Sequence, residues 1–242
     1  MVSMRLSRNI LAFLIAFLLI VFSFIPVLIV SGLFKHKKFL FSQSRLVIKT
    51  TLTLFGVHVK VRGLAAVDFS VPQVVICNHL SNLDGPLLVS VLPVNPRVLI
   101  KAEARKIPLV GWVMKLADFV FVDRSSLQRR QEALAAAIEK VKKMCYSFLV
   151  FPEGTRSKDG RMRDFKKGSF LIALRAGVPV LPVKISGTHQ LMPPGRKTVG
   201  AGTVEIEFFP RQELKNIAES ELAEFIKKLQ QKFYADKNHE NH

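Results

Sequence analysis

Apolar and polar positions follow two textures along this chain, and the change comes near residue 56. The first is nearly continuous: Ile10–Phe34 carries no charge and is almost wholly apolar, long enough to span a bilayer as one helix. Pro26 interrupts it and leaves Ile10–Ile25 too short to span alone. Phe39–Phe55 then mixes Leu40, Phe41, Leu46, Val47, Ile48, Leu52 and Leu54 with Arg45 and Lys49, the pattern of an interfacial helix whose cations snorkel. Two arrangements fit, one kinked spanning helix or a helix pair dipping into a single leaflet. The basic residues on both flanks of the apolar block give no charge asymmetry across it, so the leaflet-embedded pair is the expectation.

From Val57 onward short β-rich runs alternate with helical ones. Strands are predicted at Val57–Val61, Gln73–Cys77, Arg97–Lys101, Phe119–Val122, Ser147–Phe151, Val180–Ile185 and Val204–Phe209. Helices are predicted at Pro86–Val91, Pro108–Leu116, Leu127–Lys143, Gly168–Arg175 and Ser220–Tyr234. Helical spacing is clearest through Leu134, Ala137, Ile138 and Val141, on a segment whose basic end suits the helix dipole. This rhythm predicts an α/β fold, a largely parallel central sheet flanked by helices, over residues 57–242. Residues 1–56 form a membrane-associated helical segment in the same reading. Ala235–His242 reads as a polar, frayed tail.

In such sheets chemistry gathers at the carboxyl edge. The apolar run Val74–Cys77 ends there in Asn78-His79-Leu80-Ser81-Asn82-Leu83-Asp84-Gly85-Pro86. On one continuous helix, positions five apart lie about 140° round the axis and would not meet. His79 and Asp84 meet if His79 is still in the loop and the helix starts near Asp84, with Pro86 in its first turn. Asp84 would then hold one imidazole nitrogen while the other faces a substrate, the base and orienter of a catalytic triad, with the substrate bringing the hydroxyl. A loop histidine beside a helix-capping aspartate is the plainer alternative.

Other strand ends bear on that choice. Phe148–Phe151 runs into Pro152-Glu153-Gly154-Thr155-Arg156-Ser157. Gly154 permits a tight turn, Arg156 offers a planar fork for phosphate or carboxylate, and Glu153 can accept from a substrate hydroxyl or fix Arg156. Phe119–Val122 runs into Asp123-Arg124, and Lys101 ends a further strand as a weaker anion-binding candidate. A base with two anion binders suggests group transfer to a phosphorylated alcohol.

Composition narrows the partners. Net charge is +18, and nine cations, Arg5 through Arg62, precede Asp68, the first acidic residue. Because these cations flank the apolar block, they favour an anionic membrane surface over nucleic acid as the partner. The two cysteines, Cys77 and Cys145, are far apart and abut apolar runs. They read as reduced core residues in a cytosolic compartment, Cys77 being a packed and inert thiol. No His/Cys spacing fits a metal site.

The segment Asn78–Asp84 resembles the NHxxxxD box of the glycerolipid acyltransferases, the family of bacterial 1-acylglycerol-3-phosphate acyltransferases. Phe121–Arg124 resembles the family's second block, Phe151–Arg156 its third and Val178–Val183 its fourth, all in the family's order. The resemblance implies transfer of a fatty acyl group from an acyl-CoA or acyl-carrier-protein thioester to the sn-2 hydroxyl of lysophosphatidic acid, for phospholipid synthesis. It implies no bound cofactor or metal, and places the enzyme at the bacterial inner membrane with its site facing the cytosol. His79 and Asp84 would be catalytic. Arg124 and Arg156 would bind the acceptor phosphate, Gly154 and Thr155 would let backbone donors approach it, and Glu153 and Asn78 would line the site. The second block usually opens with Gly, and here that residue is Asp118. An acid so near Arg124 in sequence is expected to bear on the acceptor pocket. Two rival readings differ in what the protein does: acylation of another lysolipid, such as a lyso-ornithine lipid or lysophospholipid, or non-catalytic binding of nucleic acid or anionic lipid.

Overall fold

A computed structural model describes residues 37–235, except 109 and 197, together with positions 10, 14, 15 and 18. The remainder of the apolar block Ile10–Phe34 and the tail beyond 235 lie outside the described residues. The continuous apolar runs form the middle of the sheet. Every residue of β2 (Val74–Cys77) and β5 (Phe148–Val150) is buried, as parallel strands covered on both faces require. β2 pairs in parallel with β5 on one side and with β6 (Val180–Ser186) on the other. With β1 (Val57–Arg62), β3 (Arg97–Lys101), β4 (Val120–Val122) and β7 (Gly202–Phe208), the order is β1-β7-β6-β2-β5-β3-β4. Among the described strands the β6–β7 pairing alone is antiparallel, so the sheet is largely parallel, as expected. The reversal of β7 was not foreseen. Its burial alternates along the strand, because just one face is covered.

Among the described residues, the α-helices around this sheet are α1 (Lys37–Leu54), α2 (Asp84–Val91), α3 (Val110–Leu116), α4 (Leu127–Met144), α5 (Lys167–Ala176), α6 (Thr188–Leu191) and α7 (Leu222–Ala235). The short α6 has no clear signal in the sequence. Successive strand residues point to opposite faces, and the core divides accordingly. Val75, Cys77, Leu149 and Leu181 pack with Leu40 and Phe41 of α1 and Leu87 and Leu88 of α2. Val74, Ile76, Phe148 and Val150 pack with Ala137 of α4, Phe170 and Ile172 of α5 and Ile226 of α7. α4 is capped by the Ser126 hydroxyl, which accepts from the Arg129 N–H at 3.2 Å, and it ends on Cys145 in left-handed conformation.

Residues of α1 belong to this core as well as to the amphipathic pattern read from the sequence. Leu40, Phe41, Leu52 and Phe55 are buried, each apolar side chain contributing about 1.5–3 kcal/mol when fully buried. Arg45 fastens the helix further by donating to the carbonyls of Val89, at 3.2 Å, and Val94.

The two layers also fix where ligands can sit. The chain leaves β2 for α2 in one layer and leaves its neighbour β5 for α5 in the other. Adjacent parallel strands whose following helices diverge to opposite faces open a crevice at their carboxyl ends. His79 and Glu153 follow those two strands.

Asp118 does not reach that crevice, and here the expectation is corrected. It precedes β4, whereas Arg124 follows it, and six extended residues span about 20 Å. Asp118 adopts φ 58°, the left-handed region that the family's usual Gly occupies freely and Asp tolerates better than most residues. Its carboxylate bonds Lys37 at the start of α1 and lies 3.9 Å from Lys140. We therefore expect Asp118→Gly to leave kcat and KM for the lysolipid nearly unchanged. Loss of a part-exposed ion pair is worth about 0–1 kcal/mol and is offset by relief of the left-handed backbone. A thermal melt read beside the steady-state rates checks both halves of that expectation.

Candidate active site

The loop between β2 and α2 folds back on itself around one carboxylate. Asp84, the first residue of α2, accepts through Oδ2 from the N–H groups of Leu80 and Ser81, both at 2.7 Å, and meets His79 Nδ1 at 2.8 Å. An ionised carboxylate only accepts, so its third partner donates as well. This assigns the proton to Nδ1 of the neutral imidazole and leaves the Nε2 lone pair free to take one. The Asp84 side chain is fully buried and that of His79 is 20% exposed, so the orienter is shielded from water while the ring is reachable. The imidazole lies against Phe151 with centroids 4.1 Å apart and planes inclined by 19°, which fixes the plane of the ring.

The β5 loop clasps the histidine from the other side. Glu153 Oε1 accepts from the His79 N–H at 2.7 Å, and Oε2 accepts from the Arg163 N–H at 3.0 Å. The Ser157 N–H donates to the His79 carbonyl at 2.9 Å. Glu153 is 1% exposed, and with both oxygens turned to backbone donors it holds the loop and is closed to a substrate hydroxyl. Both oxygens are thus spent on the backbone of the two loops, where the sequence suggested contact with the acceptor. Burial, reinforced by the charge of Asp84 and opposed by the two N–H bonds, pushes its carboxyl up to about 7. Arg156 Nη1 donates to Asn82 Oδ1 at 2.5 Å, so the guanidinium of one loop is held by the other.

The stretch containing both loops, residues 58–186, matches the family model described as Acyltransferase. The chain belongs to the acyltransferase family. Its structure is similar to that of the 1-acyl-sn-glycerophosphate (LPA) acyltransferase PlsC of Thermotoga maritima, with a TM-score of 0.85 and 33% identity, covering 99% of this chain and 98% of that one. Among curated relatives, a 1-acyl-sn-glycerol-3-phosphate acyltransferase of Saccharomyces cerevisiae is 33% identical over 73% of this chain and 58% of its own length. The chloroplastic 1-acyl-sn-glycerol-3-phosphate acyltransferase BAT2 of Brassica napus is 41% identical over 53% of this chain and 37% of its own length. The matched region thus spans less than two thirds of either relative.

In this acyltransferase Arg124 stands exposed at the end of β4 and bonds the Gly154 carbonyl through Nη1. Gly154 has φ 73°, so a side chain there is disfavoured by the left-handed backbone. Thr155 is exposed at the rim. Asn78 is drawn inward: its amide donates to the Ile185 carbonyl at 2.9 Å and accepts from the Ile185 N–H at 2.8 Å, pinning the end of β2 to β6. Lys101 is exposed and pairs with Glu103 at 2.9 Å. The Cys77 thiol is fully buried, and burial, with the nearby charges of Asp84 and Glu153, raises its pKa well above the ordinary value. That leaves it inert, as its place in the apolar run implied.

Three contributors escaped the sequence reading. Phe151 looked like the last residue of a strand, and its position beside a loop bearing His79 was the available signal. Ser81, whose hydroxyl donates to the Met192 carbonyl at 2.7 Å and accepts from the Leu83 N–H at 3.2 Å, is a loop serine without a spacing signature. Asn82 faces Arg156 only through the fold.

Proposed function

We propose that the protein transfers a fatty acyl group from an acyl-CoA or acyl-carrier-protein thioester to the sn-2 hydroxyl of lysophosphatidic acid, giving phosphatidic acid. The observation that carries this is the buried Asp84 carboxylate on His79 Nδ1, at 2.8 Å. Nε2 takes the hydroxyl proton as the acceptor oxygen attacks the thioester carbonyl. The C–O bond forms, the C–S bond breaks, and the departing thiolate receives the proton from the imidazolium. General-base action of this kind contributes typically 10²–10⁴-fold. Arg124 and Arg156 bind the acceptor phosphate at the crevice, with Gly154 and Thr155 letting backbone donors come close, while Asn78 and Glu153 hold the loops.

Two further features support a lipid substrate. An apolar cavity of about 270 Å³ lies between α1, α2 and α3, with Phe41, Val47, Val113 and Phe119 in its wall. Gly85 and Pro86, directly after Asp84, line it too, so a space suited to an acyl chain begins beside the catalytic pair. Phe39, Leu46, Ile107, Val110 and Trp112 are exposed, and Lys38, Lys49, Arg105 and Lys106 stand among them in sequence. Apolar side chains mixed with cations suit an anionic bilayer surface. We place residues 1–56 at that surface, as the membrane-associated segment of an enzyme on the bacterial inner membrane with its crevice toward the cytosol. Among the described residues no helix is long and apolar enough to cross a membrane.

The deciding experiment is an acyl-transfer assay on a panel of lysolipids with both thioester donors, following thiol release and acylated product. Preference for lysophosphatidic acid is expected. A protein that ignores it and acylates a lysolipid without a phosphate monoester refutes the acceptor, and one that releases no thiol with any acceptor refutes the reaction. Arg156→Lys tests the phosphate contact. Lysine keeps the charge but lacks the planar fork, so KM for lysophosphatidic acid should rise about tenfold, the effect of one lost interaction of roughly 1.4 kcal/mol. The KM for the donor should move little.

A further inference from the structure

The edge of the sheet opposite His79 carries a second concentration of cations. A cleft of about 730 Å³ opens there at the amino ends of β2, β3 and β5, with Lys37, Lys38, Ser70, Arg97, Cys145 and Tyr146 in its wall. Arg97 opens β3 and is 3% exposed. Its guanidinium carbon sits 3.6 Å from the centre of the Tyr146 ring and 5.1 Å from that of Phe41. The rings satisfy the faces of the cation, but its N–H donors lie in the guanidinium plane. Nη1 donates to the Asn95 carbonyl at 2.7 Å, and the buried Nε finds no partner among the described residues.

A buried guanidinium cannot shed its proton, so it calls for an anion. Among the described residues lining the cleft there is no carboxylate. Asp118, just behind, is engaged by Lys37 and Lys140 and also feels the charge of Arg97, so one carboxylate serves a group of four cations. Lys38 is exposed on the same rim. Positive charge thus exceeds negative around an open cavity whose wall includes a planar guanidinium, the fork that phosphate oxygens match.

We propose that this cleft is a binding site for a phosphate-bearing anion, either free phosphate or the headgroup of an anionic phospholipid. The site is separate from the acyl-transfer crevice and does not depend on that reading. The headgroup source draws support from α1, whose first residue, Lys37, is where the apolar N-terminal segment joins the domain.

Cys145 offers the readout. It is exposed on the cleft wall, while Cys77, the other cysteine, is buried. Alkylation of the full chain by iodoacetamide therefore reports the cleft. Inorganic phosphate at ten times its dissociation constant is expected to slow Cys145 alkylation about tenfold by mass action, relative to chloride at equal ionic strength. Vesicles of phosphatidylglycerol in phosphatidylcholine form the second arm, against phosphatidylcholine alone. Protection by phosphate identifies a free anion, and protection by the anionic vesicles alone identifies a headgroup. Arg97→Ala risks the fold, so the variant is Lys38→Glu, an exposed change that should abolish protection in either arm while the thermal melt stays as in the parent. Failure of both probes to protect beyond their controls overturns the site, as does protection that persists undiminished in Lys38→Glu.

Discussion

His79→Ala is expected to lower kcat by at least about a hundredfold with lysolipid binding and thermal stability nearly unchanged. The side chain is part-exposed, and its backbone bonds to Glu153 and Ser157 survive the substitution. Asp84→Asn separates the charge of the carboxylate from the presence of the imidazole. The amide oxygen stays on the N–H groups of Leu80 and Ser81 and still accepts from Nδ1–H, but it lacks the charge that stabilises the imidazolium formed when Nε2 takes the hydroxyl proton. Turnover should therefore fall, though by less than in His79→Ala, with the histidine intact. Steady-state rates beside melting curves test both, and a His79→Ala protein with parental turnover would rule out the proposed base.

Glu153→Ala should be the most damaging substitution for the fold of the site. It strips acceptors from the backbone N–H groups of His79 and Arg163, each worth at most about 1–3 kcal/mol where water cannot replace the carboxylate. A total of up to about 2–6 kcal/mol is expected, with loss of activity because the His79 loop is released. Glu153→Gln probes the charge alone. Since the folded carboxyl is pushed up to about 7 from an ordinary 4.5, the folded protein holds more protons than the unfolded chain between those values. Stability contributed at this position therefore falls as pH rises through that window and levels off above it. Denaturant midpoints at pH 5 and pH 7.5 should show that fall in the parent and a smaller one in Glu153→Gln. Equal pH dependence in the two proteins would contradict the role of burial at this carboxyl.

The His79–Asp84 pair was legible because its logic is local. A buried strand ends where Asn78 begins, and five-residue spacing lets the two side chains meet if the helix starts near Asp84; the helix predicted from Pro86 in fact starts at Asp84. The central strands were equally plain, since β2 and β5 are short continuous apolar runs between polar breaks. What the sequence concealed depends on distance through space. The work of Glu153 requires the N–H of His79, 74 residues away, and no spacing rule reaches so far. Asp118 misled for the converse reason: closeness in sequence to Arg124 becomes separation once the residues between them extend into a strand. For α1 the two roles share one pattern, because an amphipathic face that buries Leu40 and Phe41 in a core reads the same as one that meets a bilayer.

The crevice between β2 and β5 also has a kinetic meaning. Its halves are brought together by a parallel pairing that aligns Val75 with Leu149, with α2, β3, α3, β4 and α4 all lying in the chain between them. Such non-local contacts close late and slowly, because loop entropy must be overcome before they form. A folding species that has its helices but lacks this one pairing has His79 without its clasp. Recovery of turnover during refolding therefore clocks the closing of the sheet's centre and lags behind the return of helical signal.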